Sequence, residues 1–296
     1  MKPVTLILRE QMRLMKPILT NKNVLSAARV AQDKIGSLGA RSNSDKISFE
    51  DINLGAFPAT WAHPTDRAES KKVIMYLHGG GYTAGGLEYA RGFGSMLACA
   101  TGRRVLCPAY RLAPENIFPC ALEDALCAYR YLLLNVKSSS DICLVGESAG
   151  GGLEYCLIHK LKELGLPLPA AVVAISPWVD LSDSGASHIC NATRDPGLSK
   201  ELLDFYADCY MGDRDRKQPL ASPLYGDLSG FPPSYIVASQ DEVLLSDSES
   251  MAKRLADAKS PVKLVVFPGM WHAFVLYGVP EAQKALSYIS EFIGGF

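Results

Sequence analysis

The feature that most constrains the fold of this chain is a set of short, continuous apolar runs, each followed by glycine, proline or polar residues. Runs of this kind are typical of strands that are buried on both faces of a sheet. They lie at 73–77, 105–107, 142–145, 171–175, 234–238 and 262–267. Segments with helical periodicity lie between them, at 121–134, 153–164 and 248–258. This alternation predicts βαβ units and a mostly parallel sheet with helices on both faces.

Two regions do not follow the alternation. Residues 1–45 look helical and precede the first apolar run, and residues 181–230 separate two runs by more chain than one crossover helix needs. Within the second region, residues 200–211 place their apolar side chains on one helical face, with Ser199 as the N-cap. Long excursions of this kind are usually functional. We expect residues 1–45 and 181–220 to form a cap over residues 46–180 and 221–296, which form the main α/β domain.

The net charge indicates which partners this chain lacks. Its 296 residues include 30 Lys or Arg and 31 Asp or Glu, for a formal charge of −1. A nucleic-acid or anionic-membrane partner would favour a basic surface, so neither is expected. No apolar run approaches the ~18 residues that span a bilayer, and the N-terminus lacks the apolar core of a secretory signal. We therefore expect a cytoplasmic protein without integral membrane association.

The cysteine and histidine patterns argue against disulfides and metal sites. The 8 cysteines are spread through apolar stretches and contain no CxxC pair. This pattern favours buried thiols in a reducing compartment. The 5 histidines are scattered and form no HExxH motif, so no metal and no cofactor is expected.

The strongest chemical signal is the G-x-S-x-G pattern at 146–150, between an apolar run that ends at Val145 and a helical segment. In this context the serine lies at the apex of a sharp strand-to-helix turn, where glycines avoid clashes between close backbone segments. The turn would present the hydroxyl of Ser148 above the sheet. We therefore predict that Ser148 is a nucleophile.

A serine nucleophile needs a neighbouring base, which follows it along the chain in this arrangement. Three histidines follow Ser148. His159 falls on the helix directly after the turn and His188 in the insertion, so a structural role is favoured for both. His272 comes just after the last apolar run, where α/β proteins place reactive groups. We predict that His272 is the general base.

The carboxylate that orients the histidine should follow the preceding strand. Asp241 comes directly after the apolar run at 234–238 and is the predicted acid, with Glu242 as the alternative. Asp247 fits the first turn of the next helix better. The acid would hold the imidazole tautomer and stabilise its charged form.

A glycine run at 78–81, His-Gly-Gly-Gly, follows another strand. It could be a flexible turn or part of a dinucleotide fingerprint, but the next strand lacks the acidic residue that binds ribose, and no Walker lysine is present. We prefer an oxyanion loop, in which the N–H groups of Gly79, Gly80 and Ala149 bind the developing charge. Three further residues are expected to support the loop: His78, Gly81 and Glu147.

Together these motifs resemble the hormone-sensitive-lipase-like esterases of the α/β-hydrolase superfamily. The resemblance runs from about residue 70 to the end and rests on the following segments: His78–Gly81, Tyr110–Glu115, Phe118–Asp124, Gly146–Gly150, Ser176–Trp178, Asp241–Leu244 and His272–Phe274. It implies an α/β-hydrolase fold, with an eight-stranded, mostly parallel sheet and a helical cap. It also implies hydrolysis of short- to medium-chain carboxylic esters through an acyl-enzyme, without a cofactor. The chain has Glu147 and Cys120 where many members have Asp and Ala.

Two alternatives share the fold that the resemblance implies. One is a deacetylase or amidase acting on a small N-acyl or O-acetyl metabolite, which would use the same machinery. The other is a non-catalytic binder of small molecules, against which the retained His272 argues. The expected partner is a small-molecule ester. A homodimer is compatible with the resemblance, although the sequence identifies no symmetric patch.

Overall fold

The computed structural model describes residues 2–19, 25–67 and 70–296. Within these ranges one eight-stranded sheet has the order β1-β2-β4-β3-β5-β6-β7-β8. The pairs β1–β2 and β2–β4 are antiparallel, and the other pairs are parallel. The strands are β1 Ile47–Asn53, β2 Pro58–Pro64, β3 Val73–Leu77, β4 Arg104–Pro108, β5 Ile142–Glu147, β6 Ala171–Ile175, β7 Ser234–Ser239 and β8 Val262–Phe267.

Helices cover both faces of this sheet. Buried side chains of α4, α5 and α8 belong to one apolar core and those of α3 and α9 to the other. The helices are α1 Pro3–Leu19, α2 Leu25–Ser42, α3 Leu87–Thr101, α4 Cys120–Asn135, α5 Ala149–Glu163, α6 Ser187–Cys190, α7 Lys200–Met211, α8 Leu245–Asp257 and α9 Pro280–Gly294. The predicted α/β fold, with a mostly parallel eight-stranded sheet and flanking helices, is confirmed.

The six strands predicted from apolar runs correspond to β3 through β8. The apolar runs do not predict β1 and β2, which lie at one edge of the sheet. Side chains along β1 are mostly exposed or partly exposed, because this edge strand is covered on one side only. Such a strand has no continuous apolar run, so its sequence carries only a weak signal.

The two regions outside the alternation are helical. The helices α1 and α2 precede β1, and α6 and α7 lie between β6 and β7. The hydroxyl of Ser199 accepts a hydrogen bond from the Leu202 N–H, so the predicted N-cap is confirmed. Gly36 and Gly39 of α2 pack against the backbone of α3, where a side chain would clash at Gly36. The division into cap and main domain stays a prediction, and residues 1 and 20–24 lie outside the described residues.

Two further expectations concern the state of the cysteines and the presence of membrane-spanning helices. All eight cysteines lie among the described residues, and none forms a disulfide. Three of them are buried, whereas Cys127 and Cys190 are exposed, so the expectation of buried thiols is wrong for these two. No helix in the described ranges is long and apolar enough to cross a bilayer.

The helix α5 contains a buried carboxyl group without hydrogen-bond partners in the described part of the chain. Glu154 is fully buried, and neither of its carboxylate oxygens has a hydrogen-bond partner among the described residues. Burial, with a smaller effect from the nearby Glu147, raises the pKa of the Glu154 carboxyl well above its ordinary value. An acid whose pKa is raised on folding makes the folded state bind more protons than the unfolded one.

We predict that Glu154→Leu stabilises the protein, since it replaces a desolvated carboxyl side chain with an apolar side chain of similar size. The free energy of unfolding at about pH 8 should rise by ~1–3 kcal/mol. The gain should shrink as the pH falls from about 8 toward the ordinary glutamate value of about 4.3, and should level off below it, where the carboxyl is protonated in both states. Urea unfolding of both proteins across this pH range measures the difference. Glu249→Leu, at an exposed position of α8, is the matched control and should change stability by less than about 0.5 kcal/mol.

Candidate active site

The turn that carries Ser148 joins β5 to α5 and has little room. Ser148 has φ 55° and ψ −121°, a conformation that L side chains rarely adopt. A Cβ at Gly146 would lie 2.5 Å from the carbonyl oxygen of Gly150, and a Cβ at Gly150 would lie 2.0 Å from that of Leu77. Both glycines are therefore required by close backbone contacts. The strand–turn–helix context on which the prediction for Ser148 rests is present.

The histidine predicted to act as a base lies next to this serine. His272 follows β8, and its Nε2 is 2.9 Å from Oγ of Ser148. Two hydrogen bonds hold its loop to the ends of neighbouring strands. The hydroxyl of Ser239 donates to the Trp271 carbonyl (2.6 Å), and the Ala273 N–H donates to Oγ of Ser176 (3.1 Å). The loop therefore holds the imidazole at hydrogen-bonding distance from the hydroxyl.

The other two histidines that follow the serine have structural partners elsewhere. His159 is bonded through Nε2 to the Pro223 carbonyl (3.2 Å). His188 is fully buried in α6, with Nε2 2.9 Å from Oδ2 of Asp247. Asp247 lies in the first turn of α8, as the sequence predicts. These contacts fit the structural roles favoured for both histidines.

The structure corrects the predicted acid by one position. Oε2 of Glu242 lies 3.4 Å from Nδ1 of His272, and Oε1 accepts the Ser239 N–H (3.0 Å). The carboxylate of Asp241 instead forms ion pairs with Arg9 (2.7 Å) and Arg194. Both residues lie in the turn that follows β7, where their side chains find different partners. The carboxylate that faces the imidazole is therefore that of Glu242, the alternative, and not that of Asp241.

The pKa of His272 is set by two opposing effects. Burial lowers it, but the carboxylate of Glu242, 3.4 Å from Nδ1, outweighs burial and holds the pKa above its ordinary value. Burial also raises the pKa of the Glu242 carboxyl, although His272 partly offsets this. The pair is therefore electrostatically coupled.

A second correction concerns the glycine loop after β3. The N–H of Gly79, a predicted oxyanion donor, donates to Oε1 of Glu147 (2.5 Å), which also accepts the Tyr89 hydroxyl (3.1 Å). A Cβ at Gly79 would lie 3.0 Å from Cβ of Ser148, so the loop touches the serine. Because its N–H already has an acceptor, Gly79 is not available as the oxyanion donor that the sequence predicts, and its bond to Glu147 holds the loop. Burial raises the pKa of Glu147 to about 7.

The next two residues of the loop, Gly80 and Gly81, have backbone N–H groups that are available as hydrogen-bond donors. Gly80 and Gly81 have φ angles of 103° and 61°, in the region that favours glycine. Their N–H groups have no acceptor within the described residues, and neither has that of Ala149, the first residue of α5. The set of available donors is therefore Gly80, Gly81 and Ala149. This moves Gly81 from the predicted support role to a donor role.

His78 is packed as a structural residue. Its ring stacks on Tyr110 at a centroid distance of 4.1 Å, and Nδ1 is 2.8 Å from the Gly79 carbonyl. The Tyr110 hydroxyl donates to the His78 carbonyl (2.6 Å). Burial lowers the pKa of His78 to about 4, so the ring is neutral near pH 7. These contacts fit the predicted support of the glycine loop.

Arg9 connects α1 to two loops of the site, a role that sequence reasoning missed. Besides its ion pair with Asp241, its guanidinium donates to the carbonyl of Gly269, three residues before His272. It also donates to the carbonyl of Arg194 in the insertion (3.0 Å). The only signal in the sequence is a charged residue in a helix with an amphipathic pattern, so this contact could not be predicted.

Among the described residues, no group of three or more His, Cys, Asp or Glu could hold a metal ion.

The chain is similar in sequence to known hydrolases over most of its length. A family described by its α/β-hydrolase fold matches residues 74–276. An acetyl-hydrolase of Streptomyces hygroscopicus is 36% identical over 265 residues, which cover 89% of this chain and 86% of that protein. An ethyl acetate hydrolase of Pseudomonas putida is 31% identical over 241 residues, with coverage of 76% and 74%.

Solved structures agree over nearly the whole chain. The structure of EstE5 matches with a TM-score of 0.94 at 30% identity, and the match covers 100% of this chain and 99% of EstE5. EstE7, described as a homologue of hormone-sensitive lipase from a metagenome library, has a TM-score of 0.88 at 35% identity, with coverage of 97% for both chains. The protein is therefore an α/β hydrolase that acts on carboxylic esters. Within that family it belongs with the hormone-sensitive-lipase-like esterases.

The two adjacent carboxylates can be separated by mutation. We predict that Glu242→Gln lowers kcat/KM for a short-chain p-nitrophenyl ester by about 10²–10⁴-fold, because the imidazole loses its anionic partner. Asp241→Asn should lower it by less than about tenfold, since the ion pairs that it weakens join Asp241 to Arg9 and Arg194 and do not involve the imidazole. Equal losses in the two variants would contradict the assignment of Glu242.

The pH profile gives a second readout of the same pair. Hydrolysis needs neutral His272, so kcat/KM should fall as the pH drops through a midpoint above the ordinary histidine value of about 6.5. In Glu242→Gln the midpoint should move to lower pH, because the anion that raises the pKa is gone. In Asp241→Asn it should stay near that of the unchanged enzyme.

Proposed function

We propose that the protein is a serine carboxylesterase that hydrolyses short-chain acyl esters through an acyl-enzyme. The observation that carries the proposal is the 2.9 Å contact between Nε2 of His272 and Oγ of Ser148, with Glu242 on the far side of the imidazole. This is the order of groups that activates a serine hydroxyl in acyl transfer.

The proposed reaction has two halves. Oγ of Ser148 attacks the ester carbonyl while His272 takes the hydroxyl proton, and the N–H groups of Gly80, Gly81 and Ala149 stabilise the oxyanion. His272 then gives the proton to the leaving alcohol as the C–O bond breaks, which leaves an acyl-serine. In the second half, His272 takes a proton from water, whose oxygen attacks the acyl carbon. The proton returns to Ser148 as the carboxylic acid leaves.

A short acyl group is supported by the packing above the donor loop. The ring of Tyr206, on α7 of the insertion, lies so close to Gly81 that a Cβ there would be 2.3 Å from a ring carbon. In the proposed division of the chain this helix belongs to the cap, so the cap narrows the space over the oxyanion donors. The names of two relatives, an acetyl-hydrolase and an ethyl acetate hydrolase, fit a small acyl group.

Labelling tests the nucleophile directly. We expect an organophosphate to modify Ser148 stoichiometrically and to abolish ester hydrolysis, and Ser148→Ala to lower kcat by at least about 10³-fold. Mass spectrometry of the tryptic peptide locates the label. Ser176→Ala, at a hydroxyl that binds the His272 loop but not its Nε2, is the control and should still be labelled at Ser148. Full activity of Ser148→Ala would overturn the proposal.

An acyl-chain series tests the size of the substrate. We predict that kcat/KM for p-nitrophenyl esters is highest for acetate to butyrate and falls for longer chains, because Tyr206 limits the space. Tyr206→Ala should move the optimum to longer chains, where each methylene that fits contributes ~1–3 kcal/mol of discrimination. Tyr225→Ala, at a tyrosine bonded to Ser182 of the insertion, is the control and should leave the optimum in place. A flat series in the unchanged enzyme would contradict the short-chain assignment.

A further inference from the structure

The charged residues are distributed unevenly along the chain, although its net charge is near neutral. Residues 1–42 contain eight Lys or Arg and two Asp or Glu, whereas the remaining residues contain 22 and 29. The N-terminal segment is therefore basic and the rest of the protein acidic. Whole-chain charge argued against an anionic surface as a partner, but the local charge of α1 and α2 does not.

The same two helices expose large apolar side chains. Seven of the twelve exposed large apolar side chains in the described part of the chain belong to α1 and α2. They are Val4, Leu6, Ile7, Leu14, Val30, Ile35 and Leu38. Single exposed apolar residues are ordinary, but clusters of them mark interaction surfaces. We call the exposed sides of α1 and α2 that carry these residues the N-terminal apolar face.

The packing of α2 shows how this face arises. Its small residues Gly36 and Ala40 are buried, and Gly36 lies against the backbone of α3. Ile35 and Leu38 point the other way and are 60% and 63% exposed. A helix that only covered the core would bury its larger apolar side chains. The outward side of α2 is thus suited to contact an apolar environment outside the protein.

Basic side chains flank the exposed apolar ones on both helices. Lys2, directly before α1, and Arg13 on α1 are exposed, as are Lys34 and Arg41 on α2. Other cations of the segment point inward, as Arg9 does toward Asp241. Exposed apolar residues bordered by Lys and Arg are typical of helices that lie in the interface of an anionic bilayer.

Both helices lie beside the active site. Arg9 of α1 binds the loop that carries His272, and Arg29 of α2 donates to the Thr83 carbonyl, just after the donor loop (2.7 Å). The two helices that carry the N-terminal apolar face therefore adjoin the loops that hold the proposed catalytic groups.

We propose that the N-terminal apolar face docks the enzyme peripherally on an anionic lipid surface. Apolar side chains of α1 and α2 enter the interfacial layer, and the flanking cations pair with lipid phosphates. This docking is independent of the catalytic roles proposed above, because none of the residues that carry it contacts Ser148, His272 or Glu242 in the structure.

Vesicle sedimentation tests the proposal with the full chain. One set of vesicles contains phosphatidylcholine alone, and the other an equimolar mixture with phosphatidylglycerol. We expect partition into the anionic vesicles at low salt to exceed that into neutral ones by about tenfold or more, and high salt to remove most of the difference. Equal partition into both sets, or no partition into either, would overturn the proposal.

Variants then locate the contact. Ile35→Ser combined with Leu38→Ser should lower partition by at least about tenfold through lost apolar burial. Lys34→Glu combined with Arg41→Glu should lower it about tenfold or more through lost charge pairing. The matched control is Leu134→Ser, on α4 at an 86% exposed position, which should partition as the unchanged protein does. Hydrolysis of a soluble short-chain ester should stay unchanged in all three, which also shows that they fold.

Light scattering without vesicles separates lipid docking from self-association. If the unchanged protein is a dimer that Ile35→Ser with Leu38→Ser converts to a monomer, the face is a contact between two copies and the proposal fails. The proposal also fails if the two double variants partition as strongly as Leu134→Ser does.

Discussion

The site depends on the close approach of β3, β5 and α5 around Ser148. The carbonyl oxygen of Leu77 is only 2.0 Å from the position that a Cβ of Gly150 would take, so the end of β3 packs directly against the first turn of α5. This contact brings the loop after β3 against the serine and leaves the N–H of Ala149 at the free start of the helix. The positions of Ser148 and of the Ala149 N–H thus follow from one packing constraint, in which Gly146 and Gly150 are required by close backbone contacts and not for flexibility.

Much of this arrangement could be predicted because its signals are local. The strands β3 through β8 have continuous apolar runs and were predicted, whereas β1 at the sheet edge and β2 beside it have no such run and were not. Ser148 is marked by a five-residue pattern in a strand–helix context. His272 follows from chain order, because few histidines come later in the sequence.

The two corrections concern contacts that no local pattern encodes. Asp241 and Glu242 are neighbours of like charge, and which of them faces the imidazole depends on which finds another partner. Arg9, over two hundred residues away in the sequence, binds Asp241, and the Ser239 N–H binds Glu242. In the same way, the carboxylate of Glu147 decides that Gly79 is bonded internally and that the next glycines have the available donors. Long-range pairing of this kind cannot be predicted from spacing.

The guanidinium of Arg9 has a consequence for how such enzymes can diverge. It joins the first helix to the loop before His272, to the residue beside Glu242 and to the insertion before β7. The N-terminal helices, the insertion and the loop before His272 therefore share hydrogen bonds, and none of them is a self-contained module. Recombination that exchanged the N-terminal helices between two relatives would also exchange a contact of the loop that carries His272. Changes of function in this scaffold should thus arise more readily by point changes within these helices than by replacing them as a block.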